Sequence, residues 1–256
     1  MNKPEDMQHY VQFAFDLAVQ LNDYESIGVI LRLKGLQEIM VGEISLAEAH
    51  LKESIKMLTI NPALETKYAI NLAAAYDYLS EIALIRENYT ESIALQEVAL
   101  DYIKGKDIPS SDVVLSLDMG IALFAIGDYQ AAQTYLDRAL AVSKNLNFFW
   151  RRPQLLAFIA INSLFLGDVD KGYHHLVACQ EFLKPLSKAN KRDRGILYWL
   201  KAMILVNEET AQLLSGTAKS LLDSKEEDFY IEQAEKNLSP YRDAYERKVL
   251  FSNIKK

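Results

Sequence analysis

Cysteine is nearly absent from this sequence: Cys179 stands alone, so no internal disulfide can staple the chain. That excludes the small disulfide-framed folds and fits a reducing compartment, so the cytoplasm is the expected location. Glycine and proline are scarce, at 10 and 6, too few for the turn after turn that an all-β fold requires. A basic surplus is missing too. Lys and Arg total 28 against 35 for Asp and Glu, a formal charge of −7. Proteins that hold phosphate backbones by counterion release carry the opposite balance, so no direct nucleic-acid binding is expected. The ordinary meaning of such an acidic balance is solubility. Long apolar runs are lacking as well. The most hydrophobic stretch, 196–206, is interrupted by Lys201 and too short to span a bilayer. The opening residues Met1 to Asp6 lack the apolar core of a secretion signal. No membrane contact is expected.

Catalytic signatures are absent in the same way. There is no Gly-x-Ser-x-Gly elbow, no His-Glu-x-x-His pair and no Gly-x-Gly-x-x-Gly loop. Ser215-Gly216-Thr217-Ala218-Lys219-Ser220 has phosphate-loop letters in the wrong order, inside a predicted helix with no strand before it. The histidines are His9, His50, His174 and His175. The adjacent pair diverges by about 100° on a helix, so it makes a poor metal face. No metal, no cofactor and no catalytic residue are expected.

What is present is helix-forming sequence. Half of the residues are hydrophobic, enough for a real core, and Ala, Leu, Ile, Glu and Gln run throughout. A period of about forty residues organises them. Gly127-Asp128-Tyr129-Gln130-Ala131-Ala132 leads into Leu136 and Ala139, with Gly120 upstream. The pattern returns at Gly167-Asp168 with Gly172, Leu176 and Cys179, and precedes at Glu87-Asn88-Tyr89 with Ser92 and Ala99. Before that the spacing lengthens by a few residues, to Gly42-Glu43 with Ala47, Leu51 and Ser54, and Gly35 upstream. A Gly or polar residue ends one helix where a left-handed backbone is useful. Small residues beyond it lie on one face of the next helix, where two antiparallel helices can approach closely. A single hairpin cannot bury its own apolar face, so such hairpins stack.

The set Gly120, Gly127-Asp128-Tyr129, Ala132, Leu136 and Ala139 resembles the tetratricopeptide repeat signature, in a long form of about forty residues. Similar long repeats occur in bacterial peptide receptors and regulator sensor domains. The resemblance covers roughly residues 25–185. The aromatic common early in the first helix is replaced by Ser116 in the third repeat. It implies an all-α fold, a right-handed α-solenoid of antiparallel helix pairs, in a single helical-repeat domain over 1–256. Residues 5–22 are expected to form a capping helix with an apolar stripe of Tyr10, Phe13, Ala14, Leu17, Ala18 and Leu21. Four repeats follow over 25–185 and a decayed fifth pair over 192–223. Capping helices close 226–256, the last opening at Ser239-Pro240. Lys225-Glu226-Glu227-Asp228 is read as a solvated loop or helix start.

In tetratricopeptide stacks the first helix of each pair lines a concave groove. By resemblance, the groove residues here include Arg32, Asp77, Glu81, Phe124, Gln154, Arg194 and Tyr198. Two readings compete for them: a floor with polar anchors for an extended or helical peptide, or helix positions buried or solvated for structural reasons alone. The run Phe148-Phe149-Trp150-Arg151-Arg152 divides likewise, between a dock for a carboxylate and a helix entry with its aromatics packed inward. The function implied is a protein- or peptide-binding scaffold, a sensor or regulatory module acting through a partner protein. Self-association is a second reading, because the stripe of the first helix could pair two chains as a homodimer. An enzyme with an unrecognised helical site is a third, and nothing in the sequence forces one.

Overall fold

The computed structural model describes residues 4–146, 151–183, 191–206, 210–211 and 227–238, and every regular element among them is an α-helix. The elements are α1 (Pro4–Gln20), α2 (Tyr24–Val41), α3 (Ile44–Leu58), α4 (Pro62–Lys67), α5 (Ala69–Ile85) and α6 (Tyr89–Ile103). They continue with α7 (Pro109–Ala125), α8 (Tyr129–Ser143), α9 (Arg152–Phe165), α10 (Val169–Leu183), α11 (Lys191–Val206) and α12 (Glu227–Asn237). Two compact units contain them, residues 1–107 and 108–256. Consecutive helices pack as pairs: α2 with α3 and α5 with α6 in the first unit, then α7 with α8, α9 with α10 and α11 with α12 in the second.

One turn joins the members of a pair, and its chemistry explains the period. Gly42, Glu87, Gly127 and Gly167 all have positive φ, the left-handed conformation that stops a helix. In each case the stopping residue's N–H returns to the carbonyl three back, as Gly127 does to Phe124. The next residue's N–H returns to the carbonyl five back, as Asp128 does to Leu123. This is the Schellman arrangement, which satisfies carbonyls the helix end would strand. Asp128 and Asp168 then cap the following helix by accepting from the N–H groups of Ala131 and Lys171. Asn22 and Asp23 make the same turn, so α1 meets α2 as the members of a pair meet one another.

The second helices bury a single stripe. Ala47, Leu51, Ser54 and Leu58 in α3 have counterparts in Ala132, Leu136, Ala139 and Ser143 of α8 and in Gly172, Leu176, Cys179 and Leu183 of α10. The first helices are buried more fully, and α9 buries almost its whole length. Burying one large apolar side chain contributes about 1.5–3 kcal/mol, so these inner helices carry much of the core energy. Where the two helices of a pair come closest, each repeat places small residues. A β-carbon on Gly35 would meet the Leu51 side chain at 2.7 Å and the Ala47 carbonyl at 3.3 Å. Gly172 faces Leu164 and the Ala160 carbonyl in the same way, with the glycine moved to the second helix. In α5 and α6 the pair is Ser80 and Ser92, bridged by their hydroxyls at 2.8 Å.

The longer spacing between the first and second repeats is α4. Asn61 caps it and Pro62 occupies its first turn. Glu25 of α2 accepts from Lys67 at 2.5 Å and from the Tyr68 hydroxyl at 2.6 Å, while Tyr102 of α6 donates to Glu65 at 2.8 Å.

α1 differs from expectation in which face it buries. Ala18 is its buried residue and Val11, Ala14 and Phe15 are half-buried, while Tyr10, Phe13, Leu17 and Leu21 are exposed. Lys34 of α2 lies 4.6 Å over the Phe15 ring and donates to Gln12. Apolar residues cover more of the helix than one neighbour can bury, with Gln12, Asp16 and Gln20 on the remaining side, so periodicity alone does not say which part of the apolar face meets α2. Glu227 and Asp228 form the first turn of α12. The expected helix from Ser239-Pro240, most of 208–223, Ser215–Ser220 and Phe148–Trp150 lie outside the described residues.

Candidate binding surface

In the first unit, α2 and α5 bring Arg32, Asp77 and Glu81 together around one side chain, Tyr78. The Tyr78 ring packs against a core cluster that includes Ile39, Leu51, Leu79 and Ile82. Burial pushes its hydroxyl pKa up. The Arg32 guanidinium, which hydrogen-bonds to it, works against that shift, and the charges of Asp77 and Glu81 reinforce it. Asp77 is buried and accepts from the Gln96 amide at 2.6 Å, which ties α5 to α6. Two polar atoms here are buried without a hydrogen-bond partner: Arg32 Nε and Gln96 Oε1. A buried unpaired donor or acceptor costs free energy, so each of these two atoms is a local cost to the fold.

Sequence reasoning reached Arg32, Asp77 and Glu81 and missed Tyr78 and Gln96. Gln96 did carry a signal. It is a polar residue in the α6 stripe between Ser92 and Ala99, where leucine stands in the other pairs. Tyr78 carried none, since an aromatic beside a groove position is ordinary core sequence.

In the second unit Phe124 is buried, its ring 5.4 Å from Tyr129, 5.7 Å from Phe158 and 5.6 Å from Phe165. Gln154 is buried too and accepts from Arg151 Nε at 2.7 Å. Both are held in packing and offer no surface. Arg151 itself makes a two-pronged ion pair with Asp118 of α7, so the carboxylate for this guanidinium comes from within the chain. Arg194 and Tyr198 of α11 are half-buried, and Tyr198 meets the rings of Phe229 and Tyr230 on α12 at 6.2 and 6.3 Å.

The remaining reactive groups are structural. Cys179 donates to the Pro153 carbonyl across the α9–α10 contact, as Ser54 does to Gly28 between α2 and α3. Burial pushes its thiol up to about 12. His175 is buried and its Nδ1 donates to the Lys171 carbonyl, while His174 is exposed. Among the described residues no cluster of His, Cys, Asp and Glu could hold a metal ion, and no helix is long and apolar enough to cross a membrane.

No family model matches this chain, and no curated protein does. Solved structures do. The apo form of RapI aligns with a TM-score of 0.67 at 11% identity, covering 96% of this chain and 86% of that one. YrrB, described as a TPR protein with an unusual peptide-binding site, aligns at 0.52 and 16% identity, covering 86% of this chain and 98% of that one. Paired helices, left-handed stops and small-residue contacts define the class: an all-α solenoid of the tetratricopeptide-like kind. The sequence had led to the same fold class.

Proposed function

We propose that the chain is a scaffold that binds a protein or short peptide, with the repeats over 25–185 supplying the surface. The observation that carries this reading is the half-buried Arg32 guanidinium of α2, which hydrogen-bonds to the Tyr78 hydroxyl beside the charges of Asp77 and Glu81. The part of that side chain left at the surface suits a carboxylate or carbonyl oxygen on an incoming segment. The likeness to YrrB, whose peptide-binding site sits on a similar fold, supports the same role. Arg194 and Tyr198 are the second candidate patch. The reading is non-enzymatic and cofactor-free, in the cytoplasm, with regulatory output through a partner and not through direct contact with nucleic acid or membrane. The acidic balance of the chain fits it.

A displayed random-peptide library screened against the purified chain tests the proposal. Binders selected by wild type should lose about tenfold in affinity to Arg32→Ala, a typical cost for an anchoring arginine. The exposed change Lys56→Ala should leave them unaffected, and thermal midpoints should match. Equal binding by Arg32→Ala, or no binder for wild type, refutes the assignment.

A further inference from the structure

Among the described residues, α1 carries the longest row of exposed large apolar side chains in the first unit. Tyr10 is 64% exposed, Phe13 64%, Leu17 45% and Leu21 68%, and Tyr24 at the start of α2 adds 49%. Positions 10, 13, 17 and 21 follow one another at intervals of three or four residues, which keeps them on one helix face as in a seam between two packed helices. The adjoining face of the helix is the one spent on α2, through Ala18 and the half-buried Val11, Ala14 and Phe15.

From this we infer that α1 is a self-association surface, and that a second copy of this chain covers it by antiparallel pairing of the two α1 helices. Area is the first argument. A whole aromatic side chain buries roughly 150–250 Å². The exposed fractions of the five stripe residues therefore supply about 600 Å² per copy, or about 1,200 Å² for the pair. That meets the lower bound for a specific dimer. Charge is the second. The first unit is strongly acidic, with seventeen Asp and Glu against nine Lys and Arg, so two copies repel over most of its surface. Along α1 from His9 to Gln20, Asp16 is the one carboxylate, and it is engaged by Gln12 at 2.8 Å. Over that stretch two acidic units can meet without opposing like charges, while Glu5 and Asp6 lie toward the ends of the seam.

Register follows from the sizes. An antiparallel pair centred midway between Phe13 and Leu17 sets each Phe13 against the other copy's Leu17, and each Tyr10 beside the Gln20–Leu21 end. Every aromatic then meets an aliphatic, and Asp16 lies across from Ala14. The antiparallel sense also opposes the two helix dipoles favourably. The inference does not depend on peptide binding, so either can fail alone.

Sedimentation velocity over a series from low to high micromolar tests it. Wild type should shift from monomer to dimer mass. Phe13→Glu and Leu17→Lys should each weaken association at least tenfold with unchanged circular dichroism and thermal midpoint, since both side chains are exposed. An equimolar mixture of the two variants should recover the dimer, because the new glutamate and lysine face each other in this register. A chain that stays monomeric, a dimer indifferent to both changes, or a mixture that fails to recover overturns the proposal.

Discussion

Gly120 lies against Leu136 so closely that a β-carbon on the glycine would sit 2.8 Å from both Cγ and Cδ2 of the leucine. Leu136 is fully buried and cannot swing away, and the Ala132 carbonyl stands 3.4 Å behind it. Alanine at an exposed mid-helix position would gain about 1 kcal/mol over glycine. Here the overpacking cost of about 1–3 kcal/mol outweighs it. Gly120→Ala should lower the stability of the second unit, read as a fall in the urea midpoint with an unchanged m-value. A midpoint that rises would show that the pair has room to part.

Glu87 occupies the stop position that Gly42, Gly127 and Gly167 hold in the other turns, at φ 64°. A residue with a β-carbon is strained there by about 1–2 kcal/mol. Glycine removes the strain but gives the unfolded chain more freedom, so the net gain should be about 0.5–1 kcal/mol. Glu87→Gly is therefore expected to raise the thermal midpoint, and Gly127→Ala to lower it. Equal midpoints for wild type and Glu87→Gly would mean that contacts of the glutamate offset its backbone.

Much of this fold was legible because turn chemistry repeats in the sequence. Gly-Asp steps mark where helices stop and restart, and small residues upstream and downstream mark where paired helices touch. Even α4 was visible, as extra residues between the first two repeats. Side-chain fate was far less legible. Phe124 and Gln154 fall on the same inward helix face as Asp77 and Glu81, at positions equivalent to Leu84 and Ala74, and a place on that face does not reveal whether neighbouring helices close over a side chain. Phe124 is claimed by three other rings, Gln154 by Arg151. The stripe of α1 was legible, but not that α2 buries Ala18 and its neighbours while leaving Tyr10, Phe13, Leu17 and Leu21 exposed.

His175 links stability to pH. Burial holds its pKa below the ordinary value of 6.5, and the neighbouring charges of His174 and Lys171 press in the same direction. The folded chain thus resists a proton that the unfolded chain accepts. Stability contributed by the neutral ring is present above pH 6.5 and is lost as pH falls below it toward the folded pKa. A thermal midpoint measured at successive pH values from 7.5 to about 5 should decline. His175→Gln should flatten that decline while leaving the slope below pH 4.5, where carboxylates such as Glu48 titrate. An identical pH profile for the variant would place the linkage elsewhere.

Arg151 and Asp118 test how the second unit holds its register. The guanidinium is almost fully buried, makes two bonds to the carboxylate, and spends its Nε on Gln154. Desolvating two charges is costly, so the pair need not add net stability compared with apolar groups. Removing one partner is another matter, because it strands the other charge in the interior, at about 3–5 kcal/mol. Arg151→Met and Asp118→Leu should each be severely destabilising. The double variant should cost less than the sum of the two single losses, by a coupling of about 1–3 kcal/mol in a denaturation cycle. Additive losses would mean that water reaches the pair and screens it, in which case the ion pair does not set how α9 seats against α7.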